Sequence, residues 1–258
     1  MSTGQVHLTI TDGIAAILID RPAARNAMTW DMYQQLAAIC ERISNDPTVR
    51  VATMRGAGGE AFVAGTDIEQ FLSFKGGEDG IAYEEKIDAM VQAVELLPMP
   101  TVAIVEGWAI GGGMALAAAC DFRVATPGAS FGVPIARTLG NCLSMANYAR
   151  VVAAFGAPRA RRLMLLADTV SAQEALDCGF VLEIAEPDAL EASAAKLCER
   201  LAKNAPVTMR ASKEAIRRIV AAGLPDGSDL IRMCYGSQDF RAGVQAFMDK
   251  KRPVWSGK

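Results

Sequence analysis

Residues 107–121, GWAIGGGMALAAACD, hold three consecutive glycines, Gly111 to Gly113, between a β-branched apolar stretch and a run of small helix-forming residues. Glycines at a strand-to-helix turn let a ligand approach the main chain, and the first helical amides lack carbonyl partners, so they direct partial positive charge outward. Such a turn can hold an oxyanion, and it can equally serve close packing of strand against helix; the glycines alone leave both readings open. The other chemistry-bearing residues remove alternatives. His7 is the only histidine, which opposes a Ser-His-Asp or Cys-His triad and a histidine metal centre, so His7 is expected to be structural and no metal site is expected. No G-x-x-x-x-G-K-[ST] sequence occurs, and Gly56, Gly58 and Gly59 lack G-x-G-x-x-G spacing, which removes the main support for nucleoside triphosphates and dinucleotides. The six cysteines show no C-x-x-C pairing, so reduced thiols are expected.

A second glycine-rich segment precedes the first. RGAGGEAFVAGTDIEQF (residues 55–71) and PMPTVAIVEGWAIGGGMALAAACDFRVATPGASFG (residues 98–132) closely resemble the two signature regions of the crotonase superfamily, the enoyl-CoA hydratase/isomerase family. The resemblance runs from RPAARNAMTWDM (residues 21–32) to DFRAGVQAFMDKKRP (residues 239–253), nearly the whole chain in the expected order. It implies an α/β fold, a spiral of ββα turns with a C-terminal helical region, divided here as an acyl-CoA-binding core over 1–200 and a helical oligomerisation region over 201–258. It implies an acyl-CoA thioester substrate, fatty acid metabolism, no permanently bound cofactor, and a homotrimer or dimer of trimers. The thioester oxygen would lie between the backbone N–H groups of Thr66 and Gly112, where preorganised amides stabilise a developing enolate oxyanion. Coenzyme A would run along Ala24, Arg25 and Ala27, past Ala64, Asp67 and Ile68, with Arg25 and Lys250 as phosphate contacts. Met114, Ala115, Ile135 and Tyr83 would line the acyl pocket.

One departure matters. Hydratases of the family carry two glutamates that activate water, and the matching positions here are Ala115 and Ile135, neither of which transfers protons. A nonstandard acid/base set is therefore expected. The polar stretch 134–144 supplies Arg137, Asn141 and Cys142. Arg137 suits a substrate carboxylate or a scaffold salt bridge. Asn141 and Cys142 fall near the position where related dehalogenases place a nucleophile, and Cys142 needs a lowered pKa for that role, a buried inert thiol being the other reading. Glu69, Tyr83, Glu84 and Glu85 lie in the region that closes over the acyl group, and a carboxylate there could act from another direction. Asp67 and Asp121 also suit helix-start and structural roles. Other CoA-ester reactions, of decarboxylase, dehalogenase or thioesterase type, and a noncatalytic acyl-CoA binder remain alternatives.

The elements that must position these residues follow from apolar periodicity. Strands are predicted at 6–10, 14–20, 49–55, 101–105 and 180–184. A helix capped by Thr29 runs to about Asn45 with Met32, Leu36, Ile39 and Ile43 inward, and a second over 81–97 points Ile87, Met90, Val91 and Val94 inward and its charged face to water. Thr66 would cap a helix after Gly65, residues 114–120 are helical, Ser171 and Glu174 form a capping box, and the chain is helical from Ala189 with breaks at Pro206 and 223–227. The 258 residues are 51% hydrophobic, enough for one large core, and no Pro/Ser-rich linker divides them. A net charge of -3 with scattered basic residues gives no general attraction to nucleic acid. No apolar run reaches membrane-spanning length and the N-terminus has no signal pattern, so a cytoplasmic protein with no membrane partner is expected.

Overall fold

The computed structural model describes residues 4–257, the side chain of Gln70 excepted. An antiparallel hairpin opens the chain, β1 (Gln5–Thr11) against β2 (Ile14–Asp20). A 3-10 turn at Pro22–Ala24 leads to α1 (Trp30–Ser44), capped by Thr29, whose hydroxyl accepts from the Met32 N–H at 3.3 Å. The apolar stripe of α1 faces the core as its spacing requires, with Met32, Leu36 and Ile43 buried and Ile39 packed at the edge.

The chain then repeats one move. A strand enters the first sheet, a short strand enters a second sheet, and a helix returns over the outside. The first turn is β3 (Val51–Gly56), β4 (Ala61–Val63) and α2 (Gly77–Glu95); the next is β5 (Thr101–Val105), β6 (Trp108–Ile110) and α3 (Gly112–Ala119). β7 (Phe122–Ala125), β8 (Ser130–Gly132), the single turn α4 (Ile135–Thr138) and α5 (Met145–Leu165) form the third. Then come β9 (Thr169–Ser171), α6 (Ala172–Asp177) and β10 (Glu183–Ile184). The first sheet has the order β1-β2-β3-β5-β7-β10, parallel from β2 onward, and the second is β4-β6-β8-β9, with only β8 and β9 antiparallel. Every residue of β5 is buried, because parallel central strands are covered on both faces. This is the expected α/β spiral of ββα turns.

Several local expectations are corrected. The stretch 101–105 does not feed the glycine turn directly: Glu106 and Gly107 redirect the chain into β6, and a three-residue strand leaves no periodic signal. Strand 180–184 shrinks to Glu183–Ile184, and the helix expected over 81–97 begins at Gly77 and ends at Glu95. Thr66 caps no helix; Asp67 caps the 3-10 segment Ile68–Ser73. Ser171 accepts from the Glu174 N–H, but the Glu174 carboxylate goes to Arg159 and Arg162, so only half a capping box forms.

The C-terminal helices are not a detached unit. α7 (Leu190–Ala202) covers the first sheet, with Leu190, Ala194 and Leu197 against Val51 and Val102. α8 (Pro206–Ala221) buries no residue and exposes Val207, Ile216 and Ile219. α9 (Ser228–Tyr235) returns to α2, where Gly80 leaves room for the Tyr235 ring, and α10 (Gln238–Met248) returns to the 3-10 segment Ile68–Ser73, where Phe71 meets Tyr83, Tyr235 and Phe240 edge to face. Among the described residues, no helix is long and apolar enough to cross a membrane.

Candidate active site

The two glycine-rich turns meet. After β4, Gly65 takes φ 100°, which an L side chain rarely adopts, and this turns Thr66 alongside Met28 in a single bridge. After β6, Gly111 takes φ 57° and ψ -118° and swings the chain into α3, so that Gly112 is its first residue. A methyl group on Gly112 would lie 3.2 Å from the Thr66 hydroxyl oxygen and 2.5 Å from the Tyr33 hydroxyl, which sets the two turns side by side. The Gly112 amide, as the first of a helix, has no carbonyl four residues back, and neither it nor the Thr66 amide donates to any group among the described residues. Tyr33 and Thr66 share a hydroxyl hydrogen bond of 2.9 Å, and burial pushes Tyr33 up to about 12, so it stays neutral. Packing explains the third glycine: a Cβ on Gly113 would strike the Val63 carbonyl. Gly113→Ala is therefore expected to cost about 2–4 kcal/mol of stability, checked by thermal unfolding.

Both amides border a cavity of about 1070 Å³. Its lining includes three cations, Arg25, Arg137 and Lys250, all exposed and without ion-pair partners among the described residues. Ala24, Ala27, Ala64, Asp67 and Ile68 line it as well, with Arg21 paired to Asp67 at 2.8 Å. Sequence reasoning missed what shapes the 21–28 part of this wall. Arg25 and Asn26 take positive φ, and the fully buried Asn26 amide donates to the Ala57 and Ala61 carbonyls at 2.9 and 2.8 Å while its oxygen accepts from the Arg21 N–H. This ties the 21–28 loop to the β3–β4 connection. Asn tolerates the left-handed region better than most residues, which is the signal RPAARNA contained.

The apolar part of the lining includes Phe71, Tyr83, Ile87, Ala115, Ile135 and Leu143. Ala115 and Ile135 line the cavity, and neither brings a carboxyl to its wall. Met114 does not reach it. One residue along α3 is a rotation of about 100°, which buries Met114 fully in the core. Asn141 lines the cavity and donates through Nδ2 to the Tyr235 hydroxyl at 3.1 Å, leaving Oδ1 buried without a partner. Cys142 points away, buried, with its Sγ 3.6 Å from the Leu230 carbonyl. Its interaction with Cys234 and its burial push the thiol up, the reverse of what a nucleophile requires.

The cavity contains one buried carboxylate. Glu84 of α2 is 3% exposed, accepts from the Tyr235 hydroxyl at 2.6 Å through one oxygen and from the Ser144 N–H at 2.9 Å through the other. Desolvation raises it from 4.5 to about 7, although both hydrogen bonds favour the ionised form. The charged face of α2, expected in water, is thus covered here by the 139–144 loop and α9. Glu69 and Glu85 are exposed. His7 sits in β1, 3.2 Å from Asp20, and Asp121 binds Thr101 and Lys213 away from this cavity. A smaller cavity of about 640 Å³ under α8 is bordered by charges already paired, Lys213 with Asp121 and Arg150 with Glu95. No group of three or more metal-ligating side chains is present among the described residues.

Comparison with known proteins agrees with this architecture. The family described as enoyl-CoA hydratase/isomerase matches residues 9–258. A short-chain-enoyl-CoA hydratase of Clostridium acetobutylicum is 31% identical over 98% of this chain and 97% of its own. Among solved structures, an enoyl-CoA hydratase/carnitine racemase from Magnetospirillum magneticum superposes with a TM-score of 0.79 at 30% identity, covering 98% of this chain and 96% of that one. A methylmalonyl-CoA decarboxylase in complex with 2-nitronate-propionyl-CoA superposes with a TM-score of 0.90 at 23% identity, covering 98% of each chain, a likeness of fold. The chain belongs to the enoyl-CoA hydratase/isomerase family.

Proposed function

We propose that the protein is an enzyme acting on an acyl-CoA thioester, which it activates by stabilising an enolate oxyanion between the Thr66 and Gly112 amides. The observation that carries this is the pair of neighbouring turns whose N–H groups have no acceptor among the described residues, at the wall of a cavity lined by both exposed cations and apolar side chains. Arg25 and Lys250 fit the phosphates of coenzyme A, Asp67 and Ile68 fit its pantetheine path, and Ile135 and Tyr83 fit the acyl group. Negative charge that develops on the thioester oxygen meets dipoles already oriented, so no reorganisation is needed during reaction. The exposed apolar residues of α8 support assembly into trimers, singly or paired. The test is incubation with a panel of enoyl-, acyl- and carboxyacyl-CoA esters in D2O, followed by mass spectrometry. Hydration, isomerisation, loss of carbon dioxide, or deuterium at the α-carbon supports the reading; a panel returned unchanged by protein that binds it favours a noncatalytic acyl-CoA binder.

Arg137 favours a second reading, decarboxylation of a carboxylated acyl-CoA. Its guanidinium lies at the cavity wall with no ion-pair partner among the described residues, and loss of carbon dioxide generates the enolate without a base, which suits Ala115 and Ile135. Under this reading Arg137→Ala lowers kcat/KM for carboxyacyl-CoA esters by about 10- to 100-fold and leaves esters without a carboxylate unchanged, as steady-state kinetics would reveal.

A further inference from the structure

We infer that Glu84 is the proton-exchanging group of this cavity, taking a proton from the substrate carbon next to the thioester and returning it. This deepens the acyl-CoA reading above and rests on it.

An enolate needs a partner that moves a proton, and side chains at Ala115 and Ile135 cannot. Two carboxylates line the cavity. Asp67 is committed, paired with Arg21 at 2.8 Å and capping the Glu69 N–H at 3.2 Å. Glu84 is different in kind. Both donors to it are neutral, so no counter-ion fixes its charge, and each oxygen keeps a lone pair free for a further proton. Arg150 of α5, the cation beside Asp88, is directed to Asp88 at 3.5 Å and Glu95 at 2.9 Å. Tyr235 does not stand alone: Asn141 donates to its hydroxyl, so the Asn141–Tyr235–Glu84 chain links the cavity wall to the buried carboxylate.

The surrounding groups place its titration where a base is useful at neutral pH. Burial raises Glu84 to about 7 and Asp88 on the same helix adds to the rise, while Tyr235 on α9 and the Ser144 amide oppose it. The other titratable groups facing it are Tyr33 on α1, Tyr83 on α2, Tyr148 on α5 and Cys142 in the preceding loop, each pushed up in part by the Glu84 charge. Cys234 on α9 moves the other way, lowered through its hydrogen bond with the Cys142 thiol. In the forward step the Glu84 carboxylate takes the α-hydrogen as a proton, and the C–H electron pair moves into the C–C bond while negative charge collects on the thioester oxygen. In the reverse step neutral Glu84 returns the proton to carbon. No oxidant or reductant takes part.

The test is hydrogen–deuterium exchange at the α-carbon of butyryl-CoA in D2O from pH 5 to 9, with binding of butyryl-CoA measured alongside. The wild-type rate is expected to rise with pH and level off above about 7. Glu84→Gln is expected to lower exchange by about 100-fold or more and to erase that rise, with binding changed less than about 3-fold. Tyr235→Phe removes a bond that favours the ionised form, so the rise moves to higher pH; a merely structural Glu84 leaves it in place. Cys234→Ser is expected to leave the rise unmoved, which separates the carboxylate from the thiol. Exchange by Glu84→Gln at the wild-type rate with the same pH dependence overturns the inference while the acyl-CoA reading stands. So does a rise that follows Cys234→Ser instead of Tyr235→Phe. Wild-type protein that neither binds nor exchanges butyryl-CoA overturns both.

Discussion

Gly112→Pro is expected to lower turnover of any accepted CoA ester by about 10²- to 10³-fold, with Gly112→Ala losing far less. Proline removes one N–H, and the first position of a helix is where it does least harm, since that amide bonds to nothing in the helix. The alanine variant separates the effect of the missing amide from that of the added carbon. Both carry a Cβ that crowds the Tyr33 hydroxyl at 2.5 Å, but only proline lacks the donor. Tyr33→Phe in the Gly112→Ala background relieves the crowding and is expected to recover activity; in the proline background it is not. Steady-state kinetics on the four variants decides between loss of an oxyanion donor and simple disturbance of the turn.

Glu84 should also be visible in stability, independently of any substrate. Between 4.5, where the unfolded carboxyl titrates, and about 7, where the folded one does, the native chain holds a proton that the unfolded chain has lost. Stability therefore falls as pH rises through that window, and the loss is complete above it. At about 1.4 kcal/mol per pKa unit the full effect is roughly 3 kcal/mol. Asp88 is raised as well and adds a slope of the same sign. The clean quantity is thus the difference between Glu84→Gln and wild type. Denaturant unfolding at pH 5 and pH 8 is expected to find Glu84→Gln gaining relative to wild type by roughly 3 kcal/mol at the higher pH. A difference that does not change with pH contradicts a raised Glu84.

The parts of this site that are legible in sequence are the ones encoded locally. Gly65, Thr66 and Gly111 to Gly113 announce turns through residue type, and the apolar stretches at β2, β3 and β5 announce strands. The second sheet was invisible because β4, β6, β8 and β9 have three residues each, too few for alternation to separate them from loop. Side-chain direction inside a short helix was equally hard: in α3, without a polar residue to fix its phase, Met114 and Ala115 look alike until packing sends one to the core and one to the cavity. By residue type Glu84 is one carboxylate among several on a helix whose charged face belongs in water. Its burial comes from Ser144 and Tyr235, which are 60 and 151 residues away along the chain. Asn26 is a similar case, fixed by Ala61 at a separation of 35 residues. Cys142 shows the limit of reading by residue type, since its environment, and not its presence, decides whether a thiol reacts.

A crystal structure with a bound acyl-CoA ester decides whether the Thr66 and Gly112 amides receive the thioester oxygen. That oxygen is expected about 2.7–3.1 Å from both nitrogens, with the coenzyme phosphates toward Arg25 and Lys250. A bound ester whose carbonyl oxygen reaches neither amide would contradict this placement.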